Sequence, residues 1–223
     1  NIFVLIKQIK KIFKNHLILI VDDSTNNKIK KKISKFKNIK YFKRNNKSGR
    51  GSAVIFGMKH MIKEKKIDVI IEMDTDLSSH PRELPKNINF FKKEKLDLLI
   101  MSRYLPGSKI INWPFRRRIF SFFSNKLANF LLKAKVSDYT MGYRIYSKKA
   151  IIQIANNCGK VGSGFIVLSE ILAELHYNNY KIKDTKTTFI NREKGDSTVG
   201  FKLIYESLIG IFKIYFKYRR IKI

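Results

Sequence analysis

One stretch constrains the fold more than any other: the apolar run Val69-Ile70-Ile71, which leads into Glu72-Met73-Asp74-Thr75-Asp76. Adjacent β-branched residues are typical of a strand buried on both faces of a parallel sheet. The Asp-Thr-Asp segment would follow the carboxyl end of that strand, where open α/β sheets bind ligands. Two carboxylates one residue apart can both approach a hard divalent cation that also binds nucleotide phosphates. The alternative interpretation is a solvated loop.

Two further apolar runs end in polar residues. Residues 17–21 lead into Asp22 and Asp23, and residues 96–101 lead into Ser102 and Arg103. Helical patterns separate these runs, and the alternation predicts a doubly wound, mostly parallel α/β sheet flanked by helices. Right-handed crossovers place the carboxyl ends of such strands along one edge. The residues that we expect to meet there are Asp22, Asp23, Gly49, Asp74, Asp76 and Arg103.

Glycines mark the start of a helix predicted after residue 49. Gly49-Arg50-Gly51 precedes a segment with apolar residues at helical spacing. Glycines at a helix start allow backbone N–H groups to approach a phosphate. A plain turn is the alternative, because Gly-x-Gly alone is a weak motif.

A second candidate anion site lies at the start of a helix predicted over 115–133. Its first turn contains Arg116, Arg117 and Arg118. Cations are unfavourable at a helix N-terminus, where the helix dipole is positive, unless an anion is bound nearby. Ser121 and Asn125 follow Arg117 in steps of four and would share its helix face. The alternative is a solvated basic turn.

The C-terminal part contains two more predicted helices. In the helix over 164–177 we expect Glu170 and Glu174 to be solvated charges, and 181–190 is typical of a last strand. A terminal helix over about 199–218 combines aromatic and apolar residues with lysines. Such a helix suits a membrane interface, and packing on the domain is the equal alternative.

Composition adds a strong positive charge. Lys and Arg number 47 and Asp and Glu 17, a formal net charge of +30. This favours an anionic partner, which could be nucleic acid, a membrane surface or a phosphate substrate. The joint abundance of Lys, Ile and Asn indicates that part of the charge reflects an AT-rich genome. Cys158 is the single cysteine, which excludes an internal disulfide.

Short motifs occur along the chain in a characteristic order. They are Val21-Asp22-Asp23-Ser24, Gly49-Arg50-Gly51-Ser52-Ala53, Met73-Asp74-Thr75-Asp76-Leu77-Ser78, Ser102-Arg103-Tyr104, Arg117 with Ser121 and Asn125, Asp138-Tyr139-Thr140-Met141-Gly142-Tyr143-Arg144, and Arg192 with Gly195 and Ser197. This order resembles the family 2 glycosyltransferases of the GT-A fold, and within them the polyprenol-phosphate sugar transferases typified by dolichol-phosphate mannosyltransferase.

The resemblance implies a role for individual residues. The nucleotide sugar would be bound by Asp22, Asp23, Gly49 and Asp74. A divalent metal, Mg²⁺ or Mn²⁺, would be held by Asp74, Asp76 and Ser78. The acceptor phosphate would be bound by Arg103, Arg117, Ser121 and Arg192, and the catalytic residues would be Asp76, Arg103 and Arg117.

The implied reaction is an inverting transfer of mannose from GDP-mannose to a polyprenol phosphate, with glucose or another sugar from a UDP-sugar as the alternative. A lipid phosphate is already anionic, so no strong general base is required, which agrees with a site rich in arginine. The expected setting is peripheral, at the cytoplasmic face of an anionic membrane, and a membrane-protein partner is a further candidate.

Two interpretations from other classes compete with this one. A basic nucleic-acid-binding protein would explain the charge, but the chain has no recognisable nucleic-acid module and its acidic strand ends would repel a phosphate backbone. We therefore expect no nucleic-acid partner. A catalytically silent membrane-surface scaffold is the other alternative, and the presence of Asp74, Asp76 and Arg117 argues against it.

The chain departs from the family pattern in several places. The family usually begins with a strand ending in Pro-x-Tyr-Asn-Glu, and this chain starts just after it, so we expect a fragment that lacks a central strand. Asn27-Lys28 replaces a common Asp-Gly, and Thr198 replaces a common Lys. The expected organisation is a GT-A domain over 1–198 and an amphipathic helix over 199–223.

Overall fold

The computed structural model of the chain describes residues 1–45, 48–191 and 201–219, with side chains from residue 205 in the last segment. Helices and strands alternate along most of it. The helices are α1 (Ile2–Ile12), α2 (Lys28–Ile33), α3 (Arg50–Met61), α4 (Leu84–Lys93), α5 (Phe115–Leu132), α6 (Lys148–Asn157), α7 (Ile166–Tyr177) and α8 (Phe201–Arg219). The strands are β1 (Ile18–Asp22), β2 (Ile39–Lys43), β3 (Val69–Glu72), β4 (Leu98–Ser102), β5 (Lys109–Ile111), β6 (Arg144–Ser147), β7 (Ile182–Lys186) and β8 (Thr188–Ile190).

The strands pair in three groups within the described residues. β1 and β2 form a parallel pair, β3-β6-β4-β7 form a four-stranded sheet, and β5 and β8 form a parallel pair. β6 runs antiparallel to both β3 and β4, whereas β4 and β7 are parallel. The predicted α/β fold with flanking helices is therefore confirmed, with a mixed sheet.

β5 and β6 are strands that the sequence did not indicate, and β6 lies inside the main sheet. It is four residues long, and its buried side chains include Arg144 and Tyr146 rather than a continuous apolar run. It ends at Ser147, whose hydroxyl accepts a hydrogen bond from the backbone N–H of Ala150 and so caps α6. Such a cap satisfies a backbone donor that the helix itself leaves unpaired.

The main core surrounds β4 and α7. Leu98, Leu99, Ile100 and Met101 of β4 are completely buried. This is expected of a strand with both faces covered, and burial of each such side chain contributes about 1.5–3 kcal/mol. A smaller cluster of Ile6, Ile20 and Ile33 packs α1 and α2 against β1.

The prediction that Glu170 and Glu174 are solvated is wrong, because both side chains are buried. α7 packs against α3, α6 and α8, so that almost every residue on it is covered. The two carboxylates are satisfied inside the fold: Gly159 donates its backbone N–H to Glu170 at 2.8 Å, and Gln153 donates to Glu174 at 2.7 Å. Buried polar groups in native folds are almost always paired in this way.

α8 packs on the domain and also presents aromatic residues outward. Ile211, Ile214 and Tyr218 are buried, whereas Phe212 and Phe216 are 46% and 57% exposed. α5, which contacts α8, likewise exposes Phe115, Phe123 and Phe130. Among the residues described, none of the helices is both long enough and apolar enough to cross a bilayer.

Candidate active site

The acidic segment after β3 forms a tight turn with a strained backbone position. Asp74 lies two residues beyond the strand and its side chain is 44% exposed. Asp76 accepts a hydrogen bond at Oδ1 from the backbone N–H of Ser78 at 3.0 Å. Leu77, which lies between Asp76 and Ser78 in the chain, has a φ of 68°. This backbone conformation is strained for a bulky residue. Strained backbone of this kind concentrates at functional sites.

Arg50, the first residue of α3, joins this acidic segment to the sheet. Its Nε lies 2.9 Å from Oδ1 of Asp74, and its Nη2 lies 2.9 Å from Glu72. Tyr146 of β6 donates its hydroxyl to Glu72 at 2.7 Å. Burial alone would lower the pKa of Arg50, but Asp74 and Glu72 outweigh it and raise that pKa above its ordinary value. The guanidinium therefore stays charged.

The acidic segment offers two carboxylates to a divalent cation, and substrate phosphates would have to supply further ligands. No cluster of three or more His, Cys, Asp or Glu side chains with metal-binding spacing occurs in the described part of the chain. Mg²⁺ is usually bound through one or two protein carboxylates together with substrate phosphates. Asp74 and Asp76 supply two such carboxylates, so they fit a cation that arrives with a nucleotide diphosphate.

Asp22 and Asp23, at the end of β1, are both engaged within the fold. Asp22 is buried and accepts hydrogen bonds from Tyr41 at 2.6 Å and from the backbone N–H of Ser24 at 2.8 Å. Asp23 forms a two-point ion pair with Arg44. These bonds fix the two carboxylates at the carboxyl end of β1, and their predicted contact with a nucleotide stays a prediction.

Close packing requires glycine at position 49, in addition to the predicted contact of Gly49 with the nucleotide sugar. Its φ is +85°, and an added Cβ would lie 2.7 Å from the carbonyl oxygen of Ser163. The backbone N–H of Ser52 donates to that same carbonyl at 3.1 Å. The start of α3 is thus held against residues 163–164, and its glycines permit this close backbone approach.

Arg103 is buried directly after β4 and is bound by Asp138. Nε and Nη2 of Arg103 donate to the two carboxylate oxygens at 2.7 and 2.8 Å, and Nη2 also donates to Thr140 at 2.7 Å. Burial opposes the charge of Arg103, but Asp138 and, at longer range, Asp74 raise its pKa. Burial would likewise raise the pKa of Asp138, yet Arg103 lowers it. Both groups are therefore ionised.

α5 brings the other predicted acceptor residues to the same place. Asn125 donates to the carbonyl of Ser121 at 2.7 Å and accepts the backbone N–H of Tyr139 at 2.6 Å. Its amide also reaches Thr140 at 3.4 Å, the residue that Arg103 bonds. The face that carries Ser121 and Asn125 therefore adjoins the Arg103 site through Thr140.

Trp113 lies close to both predicted acceptor arginines, Arg103 and Arg117. The guanidinium carbons of Arg103 and Arg117 lie 5.0 and 5.6 Å from the centre of its indole ring system. These distances permit cation–π attraction, which is strongest for tryptophan. The indole N–H is buried and has no acceptor among the residues described. Arg192, the remaining predicted acceptor residue, lies outside the described residues.

The structure thus assembles two adjoining groups of predicted site residues. Arg50 links them, because its Nε bonds Asp74 and its Nη2 lies against Gly142, in the loop whose Asp138 binds Arg103. Arg50, Asp138 and Trp113 are additional site residues that received no individual role from the sequence. The sequence did contain a sign of the role of Arg50, because a cation flanked by two glycines is an unusual start for a helix.

Comparison with known proteins identifies the family of the chain. A model of the family described as glycosyl transferase family 2 matches residues 4–155. Undecaprenyl-phosphate mannosyltransferase of Micrococcus luteus is 28% identical over 199 residues, covering 87% of this chain and 80% of that protein. Dolichol-phosphate mannosyltransferase of Pyrococcus furiosus is 31% identical over 205 residues, covering 90% of this chain and 55% of that protein.

A third relative and a solved structure extend the comparison. Polyprenol monophosphomannose synthase of Mycolicibacterium smegmatis is 31% identical over 169 residues, 75% of this chain and 62% of that protein. Glucosyl-3-phosphoglycerate synthase of Mycobacterium tuberculosis, solved with UDP, superposes with a TM-score of 0.66 over 96% of this chain and 75% of its own. At 12% identity this likeness concerns the fold. The family match extends over more than half of the sequence, and the chain therefore belongs to glycosyl transferase family 2, with a sheet of the GT-A type.

Proposed function

We propose that this chain transfers mannose from a nucleotide sugar, GDP-mannose, to the phosphate of a polyprenol. The observation that carries the proposal is the link between an acidic segment, Asp74 to Asp76, and a buried arginine site around Arg103. Arg50 makes this link, because it bonds Asp74 and lies against Gly142, in the loop whose Asp138 binds Arg103. The acidic segment suits a metal-bound diphosphate, and the arginine site suits an anionic acceptor. The names of the relatives, all polyprenol-phosphate mannosyltransferases or synthases, support this substrate class.

On the donor side, Asp74 and Asp76 would hold Mg²⁺ or Mn²⁺. Ser78 would assist, since its backbone N–H already orients Asp76. A bound cation neutralises charge on the leaving diphosphate and so lowers the barrier to its departure. Asp22, Asp23 and Gly49 would contact the nucleotide. The fit of the two carboxylates to a cation shared with substrate phosphates supports this assignment.

On the acceptor side, Arg103, Arg117, Ser121 and Arg192 would bind the lipid phosphate. An oxygen of that phosphate forms a bond to the anomeric carbon while the bond from that carbon to the diphosphate breaks. Attack from the opposite face inverts the anomeric configuration. The phosphate is anionic before it reacts, so the residues need to position it rather than remove a proton, and guanidinium groups match phosphate oxygens in geometry.

The proposal extends to a membrane surface, because the acceptor is a lipid. Residues 1–198 would form the catalytic domain and the helix over 199–223 would lie at the interface, in a peripheral protein on the cytoplasmic face. Exposed Phe212 and Phe216 on α8 would enter the headgroup region. The net charge of +30 would add attraction to anionic lipids.

The test is transfer of radiolabelled sugar from GDP-mannose, and in parallel from UDP-glucose, into a polyprenol-phosphate extract. Each reaction is run with Mn²⁺ or Mg²⁺ and with a chelator. We expect metal-dependent label in the lipid phase from GDP-mannose. Label from UDP-glucose alone would overturn the donor assignment. A folded protein that transfers neither sugar would overturn the proposal as a whole.

A further inference from the structure

We propose that Arg50 is a positioning residue that fixes Asp74 for the metal-bound diphosphate of the donor. This inference rests on the proposed function, which places a divalent cation at Asp74 and Asp76. It concerns a residue that is neither a metal ligand nor a part of the acceptor site.

The first observation is the chain of hydrogen bonds and an ion pair that contains Arg50. Nε of Arg50 contacts Oδ1 of Asp74 at 2.9 Å, and among the described residues no other side chain bonds that carboxylate. Nη2 contacts Glu72, whose second oxygen accepts the Tyr146 hydroxyl at 2.7 Å. The chain from Tyr146 through Glu72 and Arg50 therefore anchors one oxygen of Asp74 to the sheet, and it leaves the other oxygen for a ligand.

The second observation is the close enclosure of the guanidinium. A Cβ on Gly142 would lie only 1.8 Å from Nη2 of Arg50, so this position requires glycine while Arg50 holds its place. The ring of Phe165 lies 5.7 Å from Cζ of Arg50 on the side of α7. Gly142 belongs to the same loop as Asp138, the partner of Arg103. The enclosure therefore fixes Arg50 between the donor half and the acceptor half of the site.

The third observation is an unpaired donor on the Arg50 guanidinium. Nη1 of Arg50 is buried and has no acceptor among the described residues. The guanidinium keeps this place at the cost of an unpaired buried donor, because its Nε and Nη2 are bound by Asp74 and Glu72.

The experiment compares Arg50→Lys and Gly142→Ala with the unmodified chain. Arg50→Lys retains the charge but loses the fork that spans Asp74 and Glu72, whereas Gly142→Ala leaves Arg50 in the sequence and displaces its guanidinium. Binding of Mn²⁺ with GDP is measured by the electron paramagnetic resonance signal of free Mn²⁺. Loss of a residue that orients a metal ligand typically weakens metal binding by roughly 10- to 100-fold, and we expect this in both variants.

A purely structural role predicts a different pattern. In that case thermal unfolding of both variants shifts to lower temperature, while the folded protein binds Mn²⁺ and GDP with unchanged affinity, and this result would overturn the inference. Arg82→Lys is the control, because it makes the same change at an exposed arginine outside the proposed site and should leave Mn²⁺–GDP affinity unchanged.

The same titrations separate this inference from the proposed function. If Mn²⁺ binds with UDP instead of GDP, and both variants weaken that binding, the role of Arg50 stands and the donor assignment fails. If GDP binds and neither variant weakens it, the role of Arg50 fails alone. If the folded, unmodified chain binds Mn²⁺ with neither nucleotide, both are overturned.

Discussion

Arg103 and Asp138 form a buried two-point ion pair, with Nε to Oδ2 at 2.7 Å and Nη2 to Oδ1 at 2.8 Å. Removing one partner of such a pair leaves a buried charge uncompensated and costs about 3–5 kcal/mol. We therefore expect Asp138→Asn to lower the free energy of unfolding by about that amount. The measurement is urea denaturation followed by circular dichroism.

The control for this prediction is Glu94→Gln. Glu94 forms an ion pair with Lys183 at 2.8 Å on the exposed surface, where such pairs contribute little. The free energy of unfolding of the Glu94→Gln variant should be close to that of the unmodified chain. Equal stability of Asp138→Asn and Glu94→Gln would show that the Arg103 site does not depend on Asp138.

Arg117→Ala tests the acceptor side of the site. Loss of a charge-assisted hydrogen bond to phosphate costs about 1.5–3 kcal/mol, which corresponds to roughly a 10- to 100-fold rise in the KM for polyprenol phosphate. The KM for the nucleotide sugar should not change. Both constants are obtained from initial rates at varied substrate concentrations.

Arg116→Ala is the matched control, since Arg116 is exposed in the same helix turn whereas Arg117 is partly covered and stacks on Trp113. We expect its acceptor KM to remain close to that of the unmodified chain. If both substitutions raise the acceptor KM equally, general basic charge rather than a specific site binds the phosphate.

The hydrogen bond from Tyr41 to Asp22 predicts a defined dependence of stability on pH. Burial would raise the pKa of Asp22, but Tyr41, Ser24 and Lys43 lower it below its ordinary value. A lowered carboxyl pKa stabilises the fold above the unfolded pKa of about 3.9, and this contribution is lost as the pH falls through the folded pKa. Burial and Asp22 raise the pKa of Tyr41 to about 12. Its hydroxyl therefore stays protonated, and can donate to Asp22, at neutral and acidic pH.

We therefore expect Tyr41→Phe to be less stable than the unmodified chain by about 1–3 kcal/mol at neutral pH. The difference should be constant above the unfolded pKa of Asp22 and should shrink below it. Urea denaturation at a series of pH values measures it. Tyr205→Phe, which changes a 65% exposed tyrosine, should have no effect. A difference that persists undiminished in acid would contradict the assignment to Asp22.

The exposed aromatic residues of α8 predict binding to anionic vesicles. Replacement of Phe212 and Phe216 by serine removes apolar side chains that are already exposed, so the fold should be retained. We expect the double variant to sediment poorly with phosphatidylserine vesicles that bind the unmodified chain. Val4→Ser, an exposed change on α1, should sediment normally. Undiminished binding by the double variant would exclude α8 as the contact surface.

Features that depend on local pattern were predictable from the sequence. β3 and β4 are continuous apolar runs, and α5 begins and ends within one residue of its predicted bounds. The order of short motifs indicated the family. Arg103 directly follows β4, Asp76 lies four residues beyond β3, and Ser121 shares a helix face with Asn125, as the local patterns indicated.

Features that depend on contacts between distant segments were not predictable. Glu170 and Glu174 have helical spacing typical of a solvated face, and their burial arises from α3, α6 and α8 packing around α7. The role of Arg50 depends on Glu72 and Gly142, which are 22 and 92 residues further along the chain. A local sequence pattern cannot indicate contacts between residues so far apart in the chain.

The most direct test of the proposed function compares two lipid acceptors that differ only in the phosphate. Label from GDP-mannose is followed into polyprenyl phosphate and into the unphosphorylated polyprenol, with the unmodified chain and with Asp76→Asn, which retains an acceptor for the Ser78 N–H. We expect metal-dependent label in polyprenyl phosphate alone, and a rate at least about a hundredfold lower in Asp76→Asn. A folded chain that labels both lipids equally, or an Asp76→Asn variant with an unchanged rate, would contradict it.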